Sequence, residues 1–479
     1  MDKAAQLGEV LAKLSTQEAV ALARAVELAR IKGTESLPTL VVLEALRPAL
    51  REARAPRLPD LRRLICVPLQ HFLTDAEEEP RLPGRVARAA IAPWWATLRR
   101  TAAEELGALE ASLAACYGDD APAGVDEVAR LAWAAAARGT ASLVKELAKP
   151  RGDAALRQLF PRAGLVTDVT TIAALLALAE PIITAYAAID QVLAAADKLE
   201  AGRIIELTSE AVTVAKQHYL AIPEANGLDA GLLALGLLNR LRRPWQILRL
   251  ARALSWKQND ALLRQTEFAT VGERLIVGLS SSAQEIVSLT SARGGAIDCA
   301  RIGAAIADYM EECEGLLGEF GFRRDSSWGE AILKTRVVVS DAVGREFLGR
   351  VADQMLARIL PLERRAGLPR GSSPGPDLHQ PPSEADVAEA VAAARLLILL
   401  LHRGSRHGFG QPARDTIDTL STELEKRTRD LLDALRHTPD HPAIEAQLTA
   451  AVQIFDLLFE DGRGNTIARR MRLAKQVTA

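Results

Sequence analysis

The sequence predicts an all-α protein, an irregular multi-helix bundle or solenoid-like array with a small C-terminal helical module. Hydrophobic residues make up 49% of the chain but aromatic residues only 4%, so Ala and Leu fill most apolar positions. Both residues favour helix. Apolar residues also recur at helical spacing in successive segments. No fixed repeat of roughly 34 or 40 residues is present, which argues against a regular solenoid.

Length and charge limit the classes of protein to which the chain belongs. With 479 residues and a formal net charge of −2, it has enough sequence for a large core and is not a uniformly basic nucleic-acid-binding protein. Its four cysteines are scattered without a C-x-x-C pair, which predicts reduced thiols. The N-terminal residues lack a signal-peptide pattern and the apolar stretch 165–196 is interrupted by charges, so we expect a cytoplasmic location.

The first predicted domain is an N-terminal helical region, residues 1–164. Ser15 and Glu18 form a capping-box pattern at the start of its clearest helix. Trp94 and Trp95 follow Pro93, which either kinks or restarts a helix. Adjacent helical side chains point about 100° apart, so we expect that the two indoles do not face one core. One indole then reaches an interface or is only partly buried.

The second predicted domain is a central helical bundle, residues 165–366. Its apolar pattern predicts long helices over 169–199, 203–221, 228–239 and 244–257, joined by short Gly or Pro turns. One continuous pattern extends from residue 327 to about 365. The run 337–339 is β-branched, but helical periodicity on both sides favours helix.

A Pro/Gly-rich linker, residues 367–383, precedes the C-terminal helical module, residues 384–479. The linker contains five prolines and three glycines, a composition that resists helix. The module is predicted to hold helices over 384–402, 413–436 and 442–460. Pairs of opposite charge at i,i+4 spacing, Glu423 with Arg427 and Glu425 with Arg429, mark a solvent face. The Arg-rich tail beyond residue 461 contains no acid. Ile467, Met471 and Ala474 could form one side of a helix there, but a fraying, solvated terminus is the favoured interpretation.

The most specific surface pattern follows Pro244. Trp245, Arg249, Arg252 and Trp256 lie at i, i+4, i+7 and i+11, so they share one face of a helix. Arg242 lies just upstream, and no acidic residue occurs between positions 229 and 260. We therefore predict a binding site at five residues: Arg242, Trp245, Arg249, Arg252 and Trp256.

This cationic segment supports two interpretations. Guanidinium groups beside indoles suit an acidic protein surface, an anionic lipid or nucleic acid, because Arg binds oxyanions bidentately and indole favours interfaces. Alternatively, the tryptophans pack between helices and the arginines pair with carboxylates from elsewhere in the chain. Charge runs on helices more often have the second origin.

Catalytic, cofactor and metal motifs are not apparent in the sequence. His437, Asp440 and His441 lie close together, but neighbouring prolines break the helix that would align them for a metal. No Walker, Rossmann or G-x-S-x-G motif occurs, so no cofactor is predicted. We expect a non-enzymatic scaffold or adaptor that binds another macromolecule, most readily a protein. The alternatives are peripheral membrane or nucleic-acid binding through the Arg/Trp segment and a helical enzyme without a sequence-visible motif.

Overall fold

The computed structural model confirms the all-α prediction. It describes residues 14–31, 42, 46, 59–75, 84–116, 124–149, 163–222, 230–254, 263–292, 295–319, 321–363, 375–439 and 441–476. Within these ranges, β structure is confined to two pairs of two-residue strands and two isolated bridges. The architecture is an irregular multi-helix array.

The chain divides into two compact units. The first comprises residues 1–67 and 91–159, and the second comprises residues 68–90 and 160–479. The predicted central bundle and the predicted C-terminal module both lie in the second unit. Within the predicted linker, the described residues 375–383 are not helical. A bridge between Leu362 and Pro376 joins the two described segments on either side of residue 364–374.

The first unit is built from short and medium helices. Its helices are α1 (Thr16–Ile31), α2 (Leu61–Cys66), α3 (Arg88–Thr101), α4 (Ala103–Cys116) and α5 (Val125–Ala148). The first three residues of α3 belong to the second unit. The capping box at α1 is confirmed: Ser15 N donates to Glu18 Oε2 at 2.8 Å and Glu18 N donates to Ser15 Oγ at 3.4 Å.

Tryptophans organise the core of the first unit. Trp94 is fully buried and its Nε1 donates to Thr140 Oγ1 at 3.0 Å, while Trp133 Nε1 donates to the Leu64 carbonyl at 2.8 Å. Trp95 is only 9% exposed. The expectation that one of the two indoles reaches an interface or is only partly buried is therefore wrong. Helix α3 also continues through Pro93 rather than restarting there.

The second unit begins with short elements and two apolar helices. Its first elements are a 3₁₀ helix (Val67–Phe72, with Val67 in the first unit), β1 (Leu73–Thr74), β2 (Val86–Ala87), α6 (Ala163–Ala177), α7 (Ala179–Ala195), β3 (Leu199–Glu200), β4 (Arg203–Ile204) and α8 (Ser209–Ala221). The single helix predicted over 169–199 is thus two helices. Among the described residues, no single helix has the length and hydropathy to cross a membrane. Helices α6 and α7 meet those criteria only jointly, with a 68° bend between them.

The middle of the second unit carries the predicted Arg/Trp segment. Its elements are α9 (Gly231–Arg240), a 3₁₀ helix (Pro244–Ile247), α10 (Leu248–Leu254), α11 (Phe268–Ser291), α12 (Cys299–Glu319), α13 (Ser327–Ala342) and α14 (Arg345–Ile359). The β-branched run 337–339 is helical, as predicted. The continuous helix predicted from 327 to 365 is wrong, because the chain breaks at Val343 and Gly344.

Four α-helices of the second unit pack around α15. The C-terminal elements are α15 (Glu384–Arg403), a 3₁₀ helix (Gly404–His407), α16 (Gly410–His437), α17 (Pro442–Leu458) and α18 (Arg463–Gln476). Helix α15 starts at a capping box between Ser383 and Asp386 and contacts α12, α14, α16 and α17. The prediction of a fraying tail is wrong, because α18 packs along α16 and α17.

Candidate interaction surface

The predicted Arg/Trp segment begins on a 3₁₀ helix rather than on a single α-helix. Pro244 occupies its first turn, where the missing backbone N–H is tolerated. The buried Gln246 fixes this turn: Leu207 N donates to Gln246 Oε1 at 2.6 Å, and Gln246 Nε2 donates to the Ile205 carbonyl at 3.2 Å. The turn that leads into α10 is therefore held against the irregular segment that follows β4.

One carboxylate joins the two arginines of α10. Arg249 Nε donates to Glu319 Oε1 at 2.8 Å, and Arg252 Nη1 donates to Glu319 Oε2 at 2.8 Å. The two arginines are three positions apart, so one turn of helix aims both at the C-terminal end of α12. The Glu319 side chain is only 14% exposed, so solvent screens these ion pairs less than a pair at the surface.

Trp245 packs between helices. Its indole lies against Gly315 of α12, where an added Cβ would overlap the ring. The guanidinium carbon of Arg249 lies 5.4 Å from the indole centroid, within cation–π range. The indole N–H is buried and has no hydrogen-bond partner among the described residues. Trp245 is thus half-buried and contributes to the packing of this segment against α12.

The upstream arginines also have acidic partners. Arg242 Nη1 lies 2.5 Å from Glu200 Oε2, and Arg243 Nη2 lies 2.6 Å from Glu311 Oε2. Trp256, the last predicted site residue, lies outside the described residues. The structure therefore brings Trp245, Arg249 and Arg252 together, places Arg242 beside Glu200, and compensates the charge of each arginine internally.

A second cationic surface lies on α18. Its ends are held by ion pairs from Arg463 to Glu425 at 2.8 Å and from Lys475 to Glu445 at 2.6 Å. Glu425 thus pairs with Arg463, whereas the predicted pair of Glu423 and Arg427 forms at 3.7 Å. The inner side of α18 buries two side chains, Ile467 and Ala474.

The outward side of α18 presents a group that we name the α18 basic face: Arg469, Arg470, Arg472 and Leu473. All four side chains are exposed, and Leu473 is 50% exposed. No carboxylate of the described chain lies within ion-pair distance of these arginines. Arg472 Nε donates only to the Ala468 carbonyl of its own helix, at 3.4 Å. The absence of acidic residues in the tail predicts the positive charge of this face. The sequence did not predict that the tail forms an ordered helix.

A buried histidine lies at the junction of α12 and the 3₁₀ helix that follows α15. His407 stacks on Phe409 at 5.8 Å and its Nε2 lies 3.1 Å from Glu314 Oε1. Burial lowers the pKa of His407 more than the Glu314 carboxylate raises it. Arg403 Nη2 also donates to Glu314, at 3.3 Å. This group links three elements of the core, and Glu314 is its common acceptor.

The described residues give little sign of metal or small-molecule chemistry. No group of three His, Cys, Asp or Glu side chains among them is placed to hold a metal ion; Asp440 of the His437 cluster lies outside those residues. A narrow surface crevice without room for a small molecule lies beside residues 360–362. There, Arg427 Nη1 donates to the Leu360 carbonyl and Gln447 Nε2 to the Asp377 carbonyl, at 2.9 and 2.7 Å. Both side chains thus secure the local backbone.

Comparison with known proteins adds no relative. No protein-family model, no curated protein and no solved structure matches the chain.

Proposed function

We propose that the chain is a non-enzymatic helical scaffold or adaptor in the cytoplasm that binds another macromolecule through the α18 basic face. The observation that carries this proposal is the arrangement of Arg469, Arg470 and Arg472 around the half-exposed Leu473, without a carboxylate partner in the described chain. Elsewhere, at Arg242, Arg249 and Arg252, nearby acids neutralise the charge. Uncompensated cations are the ones available to a partner.

The partner that fits this face is an acidic protein segment that also offers an apolar side chain. Nucleic-acid phosphates satisfy the arginines but give Leu473 no apolar contact. Binding to an anionic bilayer is stabilised by roughly 1 kcal/mol per arginine at its surface. Insertion of a single leucine adds little to this free energy. A protein segment with carboxylates around an apolar residue complements both features, since charged rims and apolar centres characterise protein interfaces.

Binding through residues 242–257 requires a larger rearrangement. Arg249 and Arg252 would have to exchange Glu319 for an external anion. Removing one partner of a partly buried pair leaves the other charge uncompensated, which is costly. The α18 basic face requires no such exchange, and we therefore favour it over the segment with more arginines.

The test uses the full-length chain and a synthetic amphipathic peptide with glutamates around leucines as the probe. A single-stranded oligonucleotide of equal charge and phosphatidylserine vesicles serve as comparison ligands, all at about 150 mM salt, which is physiological ionic strength. The variant replaces the three arginines of the α18 basic face with glutamate. A matched control replaces three scattered exposed arginines, Arg395, Arg414 and Arg429, with glutamate.

We expect the wild type and the control to bind the peptide, and the α18 variant to bind it at least roughly tenfold more weakly, since tenfold corresponds to about 1.4 kcal/mol. Leu473→Ala should weaken peptide binding without changing oligonucleotide binding. The proposal would be overturned if the wild type bound the oligonucleotide or the vesicles more tightly than the peptide. It would also be overturned if the control and the α18 variant lost peptide affinity equally.

A further inference from the structure

A polar cluster lies inside the second unit around Arg240, the last residue of α9. The Arg240 side chain is only 5% exposed and its Nη2 pairs with Asp190 of α7. Its guanidinium carbon lies 4.9 Å from the Tyr186 ring centroid. The Nε and Nη1 atoms are buried and have no hydrogen-bond partner within the described part of the chain. Asp190 therefore balances the charge of Arg240 but leaves two of its donor atoms unused.

Tyr186 contributes another unused donor. Its hydroxyl is buried, also without a hydrogen-bond partner among the residues described, and lies where a Cβ at position 236 would be. Gly236 thus makes room for this hydroxyl against α9. The His71 ring meets the Tyr186 ring edge-on at 5.3 Å. Burial and the nearby Arg240 lower the pKa of His71 to about 4, so the imidazole is neutral at pH 7.

Three buried donor atoms without acceptors in one place require an explanation. Each unsatisfied buried polar group costs about 1–3 kcal/mol, and native proteins contain few of them. The donors come from Arg240 on α9 and Tyr186 on α7, so they converge from two helices. The Asp190 side chain is 40% exposed and His71 is half-buried, so these two neighbours of the cluster lie at the surface of the unit.

We propose that Arg240 and Tyr186 form a binding site for a small oxyanion, either inorganic phosphate or a ligand carrying a phosphate or carboxylate group. The oxyanion would accept hydrogen bonds from the free guanidinium N–H groups and from the tyrosine hydroxyl, and it would supply acceptors where the described protein has none. Arg binds such groups with directional, charge-assisted hydrogen bonds. Chloride supplies the charge but only one acceptor atom.

Isothermal titration of the full-length chain with inorganic phosphate tests this proposal, with acetate and chloride at equal ionic strength as further arms. Tyr186→Phe removes the hydroxyl and keeps the ring, and Arg240→Lys keeps the charge but not the planar donor set. Arg242→Gln is the control, because it removes an exposed arginine paired with Glu200. Circular dichroism of each variant establishes that it is folded.

We expect phosphate to bind the wild type and the control, and Tyr186→Phe to weaken binding roughly tenfold, as for the loss of one hydrogen bond to a charged group. Binding of acetate with the same loss indicates a carboxylate ligand. The proposal is overturned if the wild type binds neither phosphate nor acetate, if chloride binds equally, or if folded Tyr186→Phe and Arg240→Lys bind the oxyanion normally. Loss of phosphate binding on charge reversal of the α18 basic face would also overturn it.

Discussion

Glu319 Oε1 lies 2.8 Å from Nε of Arg249, and these residues are 70 positions apart in the chain. The other oxygen of the same carboxylate accepts from Arg252. Glu319 on α12, with Glu206 at 3.9 Å from Arg249, therefore neutralises the part of α10 that has no acidic neighbour in sequence. This pairing determines which of the cationic segments presents free charge.

Glu319→Gln is expected to release that charge. The amide carries no negative charge, so Arg249 and Arg252 lose their ion pair, and the free energy of unfolding should fall by about 1–3 kcal/mol. Retention on a heparin column should rise at the same time. The control is Glu285→Gln, whose ion pair with Arg301 is long and exposed. Unchanged stability together with unchanged heparin retention would contradict this account of the segment.

Gly236→Ala should destabilise the second unit, although alanine favours helix. A Cβ at this position overlaps the Tyr186 hydroxyl and approaches the Phe72 ring at 2.9 Å. Overpacking costs about 1–3 kcal/mol, which exceeds the helix-propensity gain of about 1 kcal/mol. In urea denaturation, Tyr186→Phe should recover part of the loss in a double-mutant cycle. Gly349→Ala is the matched control, because nothing lies within 4 Å of its added Cβ, and it should not destabilise.

Glu312 makes stability depend on pH near neutrality. Burial, with a smaller contribution from Asp308, raises the pKa of this carboxyl to about 7. Because the folded-state pKa lies above the unfolded value, the stabilising contribution is present below about pH 4.5 and is lost as pH rises to about 7. Glu312→Gln should therefore raise the free energy of unfolding at pH 8 by roughly 2 kcal/mol and flatten its slope between pH 4.5 and 7. An identical slope in the wild type and the variant would contradict the assignment.

Local sequence patterns predicted well which segments are helical, and they predicted the ends of the helices less well. The capping boxes at Ser15 and Ser383 involve residues three positions apart, so the sequence contains the whole interaction. The break at Val343 and Gly344 is different. Apolar residues keep their helical spacing across it, and only packing of α14 separately from α13 distinguishes two helices from one.

The site predictions were incomplete because they depend on contacts between residues that are far apart in the sequence. Periodicity places Trp245, Arg249 and Arg252 near one another, but it contains no information that Glu319 and Gly315 approach from α12. Likewise, the sequence shows that the tail lacks acids but not that Ile467 and Ala474 anchor it as α18. Trp94 and Trp95 are both buried because the buried face of α3 is wide enough to include two adjacent positions.

The central position of α15 bears on how the second unit melts. Helices α12 and α14 precede residue 364, whereas α16 and α17 follow residue 409, and all four contact α15. Residues on both sides of the Pro/Gly-rich stretch thus share apolar surface, so neither side keeps its interior when the other unfolds. The helices on both sides of this stretch should therefore unfold cooperatively, in a single transition. A fragment starting at residue 384 would expose the face of α15 that α12 and α14 cover.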